Sequence, residues 1–162
     1  MAKKKRKGLP KELPEKFVIR LAEMYGRSIC DELKKSFRDR PTTFRVNIIK
    51  AQEYENIKTV RHKSIDILEE DGFRMKRVPW YHDAFLLQNK SKRELTETAL
   101  YKEGKIYIQS LASMIPPLAL DPQPGEIVLD LAAAPGSKTS QIAGMMHRQG
   151  RLIACDVNPV RI

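Results

Sequence analysis

Apolar residues recur at helical spacing from the start of the chain. Phe17, Val18, Leu21, Ala22 and Tyr25 predict a helix from about Pro14, a proline suited to an opening turn, to Gly26. Ser28 reads as the N-cap of a second helix through Ile29, Leu33 and Phe37, ending before Pro41. After Pro41 the period shortens. Residues 43–48 alternate apolar and polar positions, as a half-buried strand does. Ile57, Val60, Ile65 and Leu68 restore the helical period until Gly72, and residues 73–78 alternate again. The pattern is a strand–helix–strand unit. Residues 88–105 are polar and read as a connection with one short helix. Ile106-Tyr107-Ile108 reads as a short strand, and Ser110 to Leu120 as a helix that lasts until Pro116 and Pro117. The run Asp121-Pro122-Gln123-Pro124-Gly125 marks a turn.

The pattern then changes character. Ile127-Val128-Leu129-Asp130-Leu131 is a continuous apolar run broken only by Asp130, and Ala132-Ala133-Ala134-Pro135-Gly136 is a run of small residues. A helix-type pattern follows from about Ser137. This order predicts the first strand, loop and helix of a doubly wound α/β sheet. A loop of small side chains lets a ligand lie against the backbone, Gly136 can take a positive φ, and the helix start suits an anionic group. Arg151-Leu152-Ile153-Ala154-Cys155-Asp156 reads as a second strand ending in an acid. An acid there is placed to hydrogen-bond both ribose hydroxyls, although a strand-terminal Asp also serves as a helix cap. The loop is not the dinucleotide pattern, because alanines stand at its first two glycine positions. It is not the phosphate-cradling pattern either, since Ser137 precedes Lys138-Thr139 where glycine is required. A ligand with a nucleoside and an amino-acid carboxylate but no pyrophosphate fits better, and S-adenosyl-L-methionine is one.

Charge separates the two regions. The chain of 162 residues carries a net charge of +10, all of it in residues 1–110, while residues 111–162 are balanced at four basic and four acidic groups. A polyanion is the expected partner of the first region. Arg45, Arg74, Lys76 and Arg77 fall on the expected solvated positions of the alternating strands, and a one-sided sheet of this kind can present them to RNA. Trp80 and Tyr81 either stack on a base or pack a turn. Lys3-Lys4-Lys5-Arg6-Lys7 reads as a solvated tail, a nucleic-acid arm or an import signal.

Other classes are excluded. No apolar run is long enough to span a bilayer, and no apolar segment follows the basic start as a secretion signal requires. Cys30 and Cys155 are too few for a disulfide framework, and His62, His82 and His147 show no metal-ligand spacing. The expectation is a soluble, cytoplasmic protein (nuclear or nucleolar in a eukaryote) without a metal.

The run from Gly104 to Met114, then Pro124-Gly125, then Leu129-Asp130-Leu131-Ala132-Ala133-Ala134-Pro135-Gly136-Ser137-Lys138-Thr139, resembles the Sun/Rsm-type (RsmB/RsmF-like) RNA (cytosine-5) methyltransferases. Arg40-Pro41-Thr42-Thr43-Phe44-Arg45-Val46-Asn47 is similar to that family's N-terminal RNA-binding module. The resemblance covers residues from about 14 to the end and implies rRNA or tRNA as substrate. It implies that Ala132, Ala133, Ala134, Pro135, Gly136, Ser137 and Lys138 bind S-adenosyl-L-methionine, that Asp156 holds its ribose, and that Arg161 matches a common arginine of the site. Ser137 departs from the family's usual second glycine. The resemblance also implies a cysteine nucleophile attacking carbon 6 of cytosine, carried in later motifs, one of them an Asp-Ala-Pro-Cys segment. Cys30 matches no catalytic motif, and Cys155 is expected buried and inert within the second strand, so the nucleophile is expected beyond Ile162.

The expected fold class is therefore α/β. A basic tail (1–13) leads to an N-terminal α+β RNA-binding module (14–103). The first part of a Rossmann-like methyltransferase domain (104–162) follows, truncated and inactive alone, with apolar surface exposed on its half-sheet. The alternatives are a non-catalytic RNA-binding module with a vestigial cofactor fold, and another small-molecule α/β enzyme.

Overall fold

A computed structural model describes residues 13–37, 40–50 and 56–157. The chain divides into two compact units, residues 1–40 and 41–162. The basic tail and Arg161 lie outside the described residues.

The first unit is a pair of helices, α1 (Glu15–Tyr25) and α2 (Arg27–Ser36). Gly26, at φ 80°, ends one and caps the other, so Ser28 sits inside the first turn of α2 and is not the N-cap that the sequence suggests. Glycine takes that backbone angle without strain, which lets the reversal occur in one residue. The rings of Phe17 and Phe37 meet edge to face at 5.5 Å. Cys30 is buried, its thiol donating to the Val18 carbonyl at 3.6 Å.

The second unit is built on a four-stranded antiparallel sheet, β1 (Thr43–Val46), β2 (Met75–Val78), β3 (Tyr81–Leu87) and β4 (Ile106–Ile108), in the order β2-β3-β1-β4. Helix α3 (Ile57–Glu70) joins β1 to β2, opened by the Asn56 side chain accepting from the Lys58 amide. Short helices α4 (Lys92–Glu97) and α5 (Ala99–Lys102) lie between β3 and β4, where the sequence suggests one. Phe44, Val46, Leu68, Phe73, Phe85, Leu87, Leu95, Leu100 and Ile106 form one core, with Phe44 and Phe85 paired across the strands and their rings stacked.

Two expectations are corrected here. The pattern does not reveal β3, which inserts between β1 and β2. Nor is the sheet one-sided. Helix α6 (Leu111–Leu120) packs Met114, Leu111 and Leu118 against Val78, Tyr81 and Ala84, and Gln109, Ser137 and Ser140 bond the same side of β1, all four of whose residues are buried. Arg45, expected on an open face, is 1% exposed.

Helix α6 also runs through Pro116 and Pro117 instead of stopping at them. Proline at 117 cannot donate to the carbonyl of Ser113. The side-chain amide of Gln109 does so instead, at 2.9 Å. The helix ends at Asp121, which takes the left-handed conformation.

After the turn at residues 124–125 come β5 (Ile127–Asp130), α7 (Ser137–Met145) and β6 (Arg151–Ala154). The two strands pair in parallel, Ile127 opposite Arg151 and Asp130 opposite Ala154. This is the βαβ unit that the sequence predicts. Gly150 lets its two ends meet: at φ 101°, a β-carbon there would lie 2.3 Å from the Glu126 carbonyl oxygen. Ile127, Leu129 and Ile153 remain exposed on the pair. Among the described residues no helix is long and apolar enough to cross a membrane.

Candidate cofactor site

Residues 131–136 connect β5 to α7, and every turn of the connection is held by a specific bond. Asp130, at the end of β5, accepts the Ala132 amide at 3.1 Å with one carboxylate oxygen and the Thr139 hydroxyl at 2.7 Å with the other. The Ala133 amide donates to the Cys155 carbonyl, and the Cys155 amide to the Asp130 carbonyl. The Ala134 amide donates to the Asp156 carboxylate at 2.9 Å. The Gly136 amide turns back to the Ala133 carbonyl. Asp130 and Asp156 thus fix the loop from two adjacent parallel strands.

Gly136 has φ 91° and is the N-cap of α7. No side chain caps this helix, and a β-carbon built on Gly136 would meet nothing within 4 Å. The space before the helix start is therefore open, and the first-turn amides face it. Ala132, Ala133 and Ala134 keep side chains off the approach. Such a helix start suits an anionic group.

Asp156, which the sequence reads as the last residue of the strand, lies two residues past β6, and its carboxylate bonds the loop. Lys138 is half-buried in the first turn of α7. Cys155, expected buried inside the strand, is exposed just beyond its end. The paired register ends with Asp130 opposite Ala154, and the Cys155 backbone turns to bond the end of β5 and the loop.

The antiparallel sheet meets this site from behind. Arg45 donates from Nε to the Gln109 side chain at 2.9 Å and from Nη1 to that of Asn47 at 3.2 Å. Its Nη2 reaches the Ser137 carbonyl at 3.1 Å and the Ser140 hydroxyl at 2.6 Å. The Tyr107 hydroxyl donates to the Pro135 carbonyl at 3.1 Å. Gln109 and Gln141, both buried, complete the network, with the Gln109 amide donating to the Gln141 oxygen at 3.1 Å. Burial pulls the Arg45 pKa down from arginine's ordinary value, while Tyr81, Tyr107 and Asp83 act the other way. Sequence reasoning missed Tyr107, Gln109, Ser140 and Gln141. Thr139 was visible as the last residue of the loop motif.

Of the four basic residues expected to face RNA, Arg74, Lys76 and Arg77 are exposed on or beside the edge strand β2. A register shift falls between Arg77 and Val78, and the strand turns two consecutive side chains, Lys76 and Arg77, to solvent. Trp80 is 49% exposed at the following turn, its ring parallel to that of Tyr81.

The fold and loop define an α/β protein that carries the opening βαβ unit of a Rossmann-like sheet behind an antiparallel module. Comparison with known proteins makes the class specific. Residues 13–111 match the family described as the N-terminal domain of 16S rRNA methyltransferase RsmF, and residues 117–162 match 16S rRNA methyltransferase RsmB/F. The chain belongs to this methyltransferase family. It is 34% identical over 157 residues to a ribosomal RNA small subunit methyltransferase F of Shewanella frigidimarina, covering 95% of this chain and 28% of that one. It is 33% identical over 148 residues to a tRNA (cytosine(49)-C(5))-methyltransferase of Pyrococcus abyssi, covering 90% of this chain and 45% of that one. A solved methyltransferase homologue from Pyrococcus horikoshii superposes with a TM-score of 0.68 at 37% identity, covering 93% of this chain and 46% of that one. The chain thus spans less than half the length of these relatives.

Proposed function

We propose that this chain supplies the RNA-facing module and the cofactor loop of an S-adenosyl-L-methionine-dependent RNA (cytosine-5) methyltransferase acting on rRNA or tRNA. The observation that carries the reading is the open, uncapped start of α7 beside a small-residue loop braced by Asp130 and Asp156. In this reading Ala132 to Lys138 line the cofactor, the α7 amides take its carboxylate, and Asp156 takes its ribose while keeping Ala134 in place. A carboxylate has room for both, since its two oxygens accept about four hydrogen bonds. The sulfonium supplies an electrophilic methyl group when bound. This chain's residues orient it.

Neither described cysteine is assigned the nucleophile. Cys30 is buried in the first unit, and the Cys155 backbone is spent on bracing the loop. In this reading neither of them attacks the cytosine ring. Arg74, Lys76 and Arg77 provide the phosphate contacts. Arg45 leaves that group, because its charge is consumed inside the protein. Work on rRNA or tRNA fits a cytoplasmic protein, or a nuclear or nucleolar one in a eukaryote.

Isothermal titration with S-adenosylhomocysteine tests the reading. Saturable binding that Asp156→Ala weakens supports it. No binding, together with RNA binding that persists, leaves the non-catalytic module.

A further inference from the structure

We infer that Arg45 and Tyr107, residues of the antiparallel sheet, are positioning residues for the cofactor loop, so that the N-terminal module is part of the cofactor site as well as an RNA platform. The inference rests on the cofactor reading above. Its basis is that three successive carbonyls, of Pro135 and Gly136 in the loop and of Ser137 in the first turn of α7, are each bonded directly or through Ser140 to a side chain of the antiparallel sheet. Tyr107 holds the Pro135 oxygen. The Gly136 oxygen accepts from the Ser140 hydroxyl at 2.6 Å, and that hydroxyl accepts from Arg45. Arg45 also holds the Ser137 oxygen directly.

Peptide planarity couples each held carbonyl to the amide that follows it. In a trans peptide the carbonyl of one residue and the N–H of the next point in opposite directions. The Gly136 oxygen also accepts the Ser140 amide at 2.9 Å, so the helix ladder sets the direction of the Ser137 and Lys138 amides toward the open space before α7, and the bonds from Arg45 and Ser140 hold that first turn in place. The Pro135 peptide is fixed likewise, with the Gly136 amide spent on Ala133. A backbone site free to rotate pays an ordering cost when a ligand arrives, and a fixed one does not.

The guanidinium is suited to this role and difficult to replace. It is 1% exposed, and its bonds fan out to Gln109, Asn47, Ser137 and Ser140 from one planar group. It also lies 5.3 Å from the Tyr107 ring centroid, so each positioning residue steadies the other. Lysine offers a point charge without the fork and cannot satisfy the same set.

Two variants and two ligands test the inference. S-adenosylhomocysteine carries the amino-acid carboxylate, and 5′-methylthioadenosine keeps the adenosyl group without it. Tyr107→Phe removes one hydroxyl at a partly exposed site and should leave the thermal midpoint nearly unchanged. We expect it to weaken S-adenosylhomocysteine roughly fivefold, the scale of one hydrogen bond, and 5′-methylthioadenosine less than about twofold on the same reasoning. Arg45→Lys should show the same selectivity with a larger loss. Equal losses for both ligands, or unchanged affinity in Tyr107→Phe, overturn the positioning role and leave the cofactor reading intact. Failure of the unaltered protein to bind either ligand overturns both.

Discussion

The Asp156 carboxylate accepts the Ala134 amide at 2.9 Å, tying the end of one parallel strand to the loop that leaves the other. The bond shows that the acid serves the loop before any ligand arrives. Two contributions are therefore at stake when the side chain is removed: the bracing of Ala134 and the proposed ribose contact.

Asp156→Ala should weaken S-adenosylhomocysteine by about 1.5–3 kcal/mol, the scale of a hydrogen bond to a charged group. Asp156→Asn keeps an oxygen that can accept from Ala134 but loses the charge, so it should fall between the two. Calorimetric titration of all three proteins checks the order. Equal affinities would remove Asp156 from the site.

RNA binding should run through the β2–β3 hairpin. Residues 72–82 hold Arg74, Lys76 and Arg77 and no carboxylate. Removing one cation that neutralises a phosphate should lower the slope of log affinity against log salt by about one. Replacing Lys76 and Arg77 with glutamine should therefore flatten the salt response by about two. Trp80 is the only tryptophan, so its fluorescence reports the same surface without a label. Quenching by single-stranded RNA that saturates with binding is the expected result. An unchanged spectrum alongside measurable binding would place the RNA elsewhere on the surface.

Gln109 is the junction of the buried network, accepting from Arg45 and donating to Ser113 and Gln141. Gln109→Leu keeps most of the volume but strips a partner from a buried cation and uncovers the carbonyl that Pro117 cannot serve. The expected cost is roughly 1.5–3 kcal/mol or more, the scale of losing a buried hydrogen bond to a charged group. Urea unfolding monitored by circular dichroism checks it. A loss below about 1 kcal/mol would mean that water or a shifted side chain replaces the amide.

These residues also show where sequence reading stops. The β5–loop–α7–β6 unit is legible because the chemistry of a close backbone approach restricts side-chain size at consecutive positions, from Ala132 to Gly136. The antiparallel sheet is legible only on its apolar face. Alternation in β1 marks Phe44 and Val46 as core, but it cannot say that the other face is covered too. A charged residue on a strand is normally solvated, and Arg45 escapes that rule through partners far along the chain, at Gln109, Ser137 and Ser140. The continuity of α6 through its prolines is hidden for another reason: a side chain just before the helix, Gln109, serves the carbonyl that Pro117 cannot. Strand β3 is obscured because His82 and Asp83 interrupt the apolar pattern. Asp83 is buried and paired with Arg61, at 2.5 Å.

That buried pair shapes the last prediction, which concerns pH. The Tyr81 phenol is pushed up to about 12 from 10.0, first by burial and then by the Asp83 carboxylate. Arg45, Arg61 and a hydrogen bond with Gln141 oppose the shift without cancelling it. Between these values the folded protein keeps the proton and the unfolded chain releases it. The folded state then binds more protons, so stability falls as pH rises. The contribution is complete below about pH 10 and is lost on the way to about pH 12, amounting to no more than about 3 kcal/mol. Tyr81→Phe cannot ionise, and its urea midpoint should decline less steeply than that of the unaltered protein over this window. The rest of the sequence is identical in the two proteins, so the difference between the two curves isolates Tyr81. Parallel curves would show that the ring reaches solvent when ionised, and that the turn carrying Trp80 is not anchored through Tyr81.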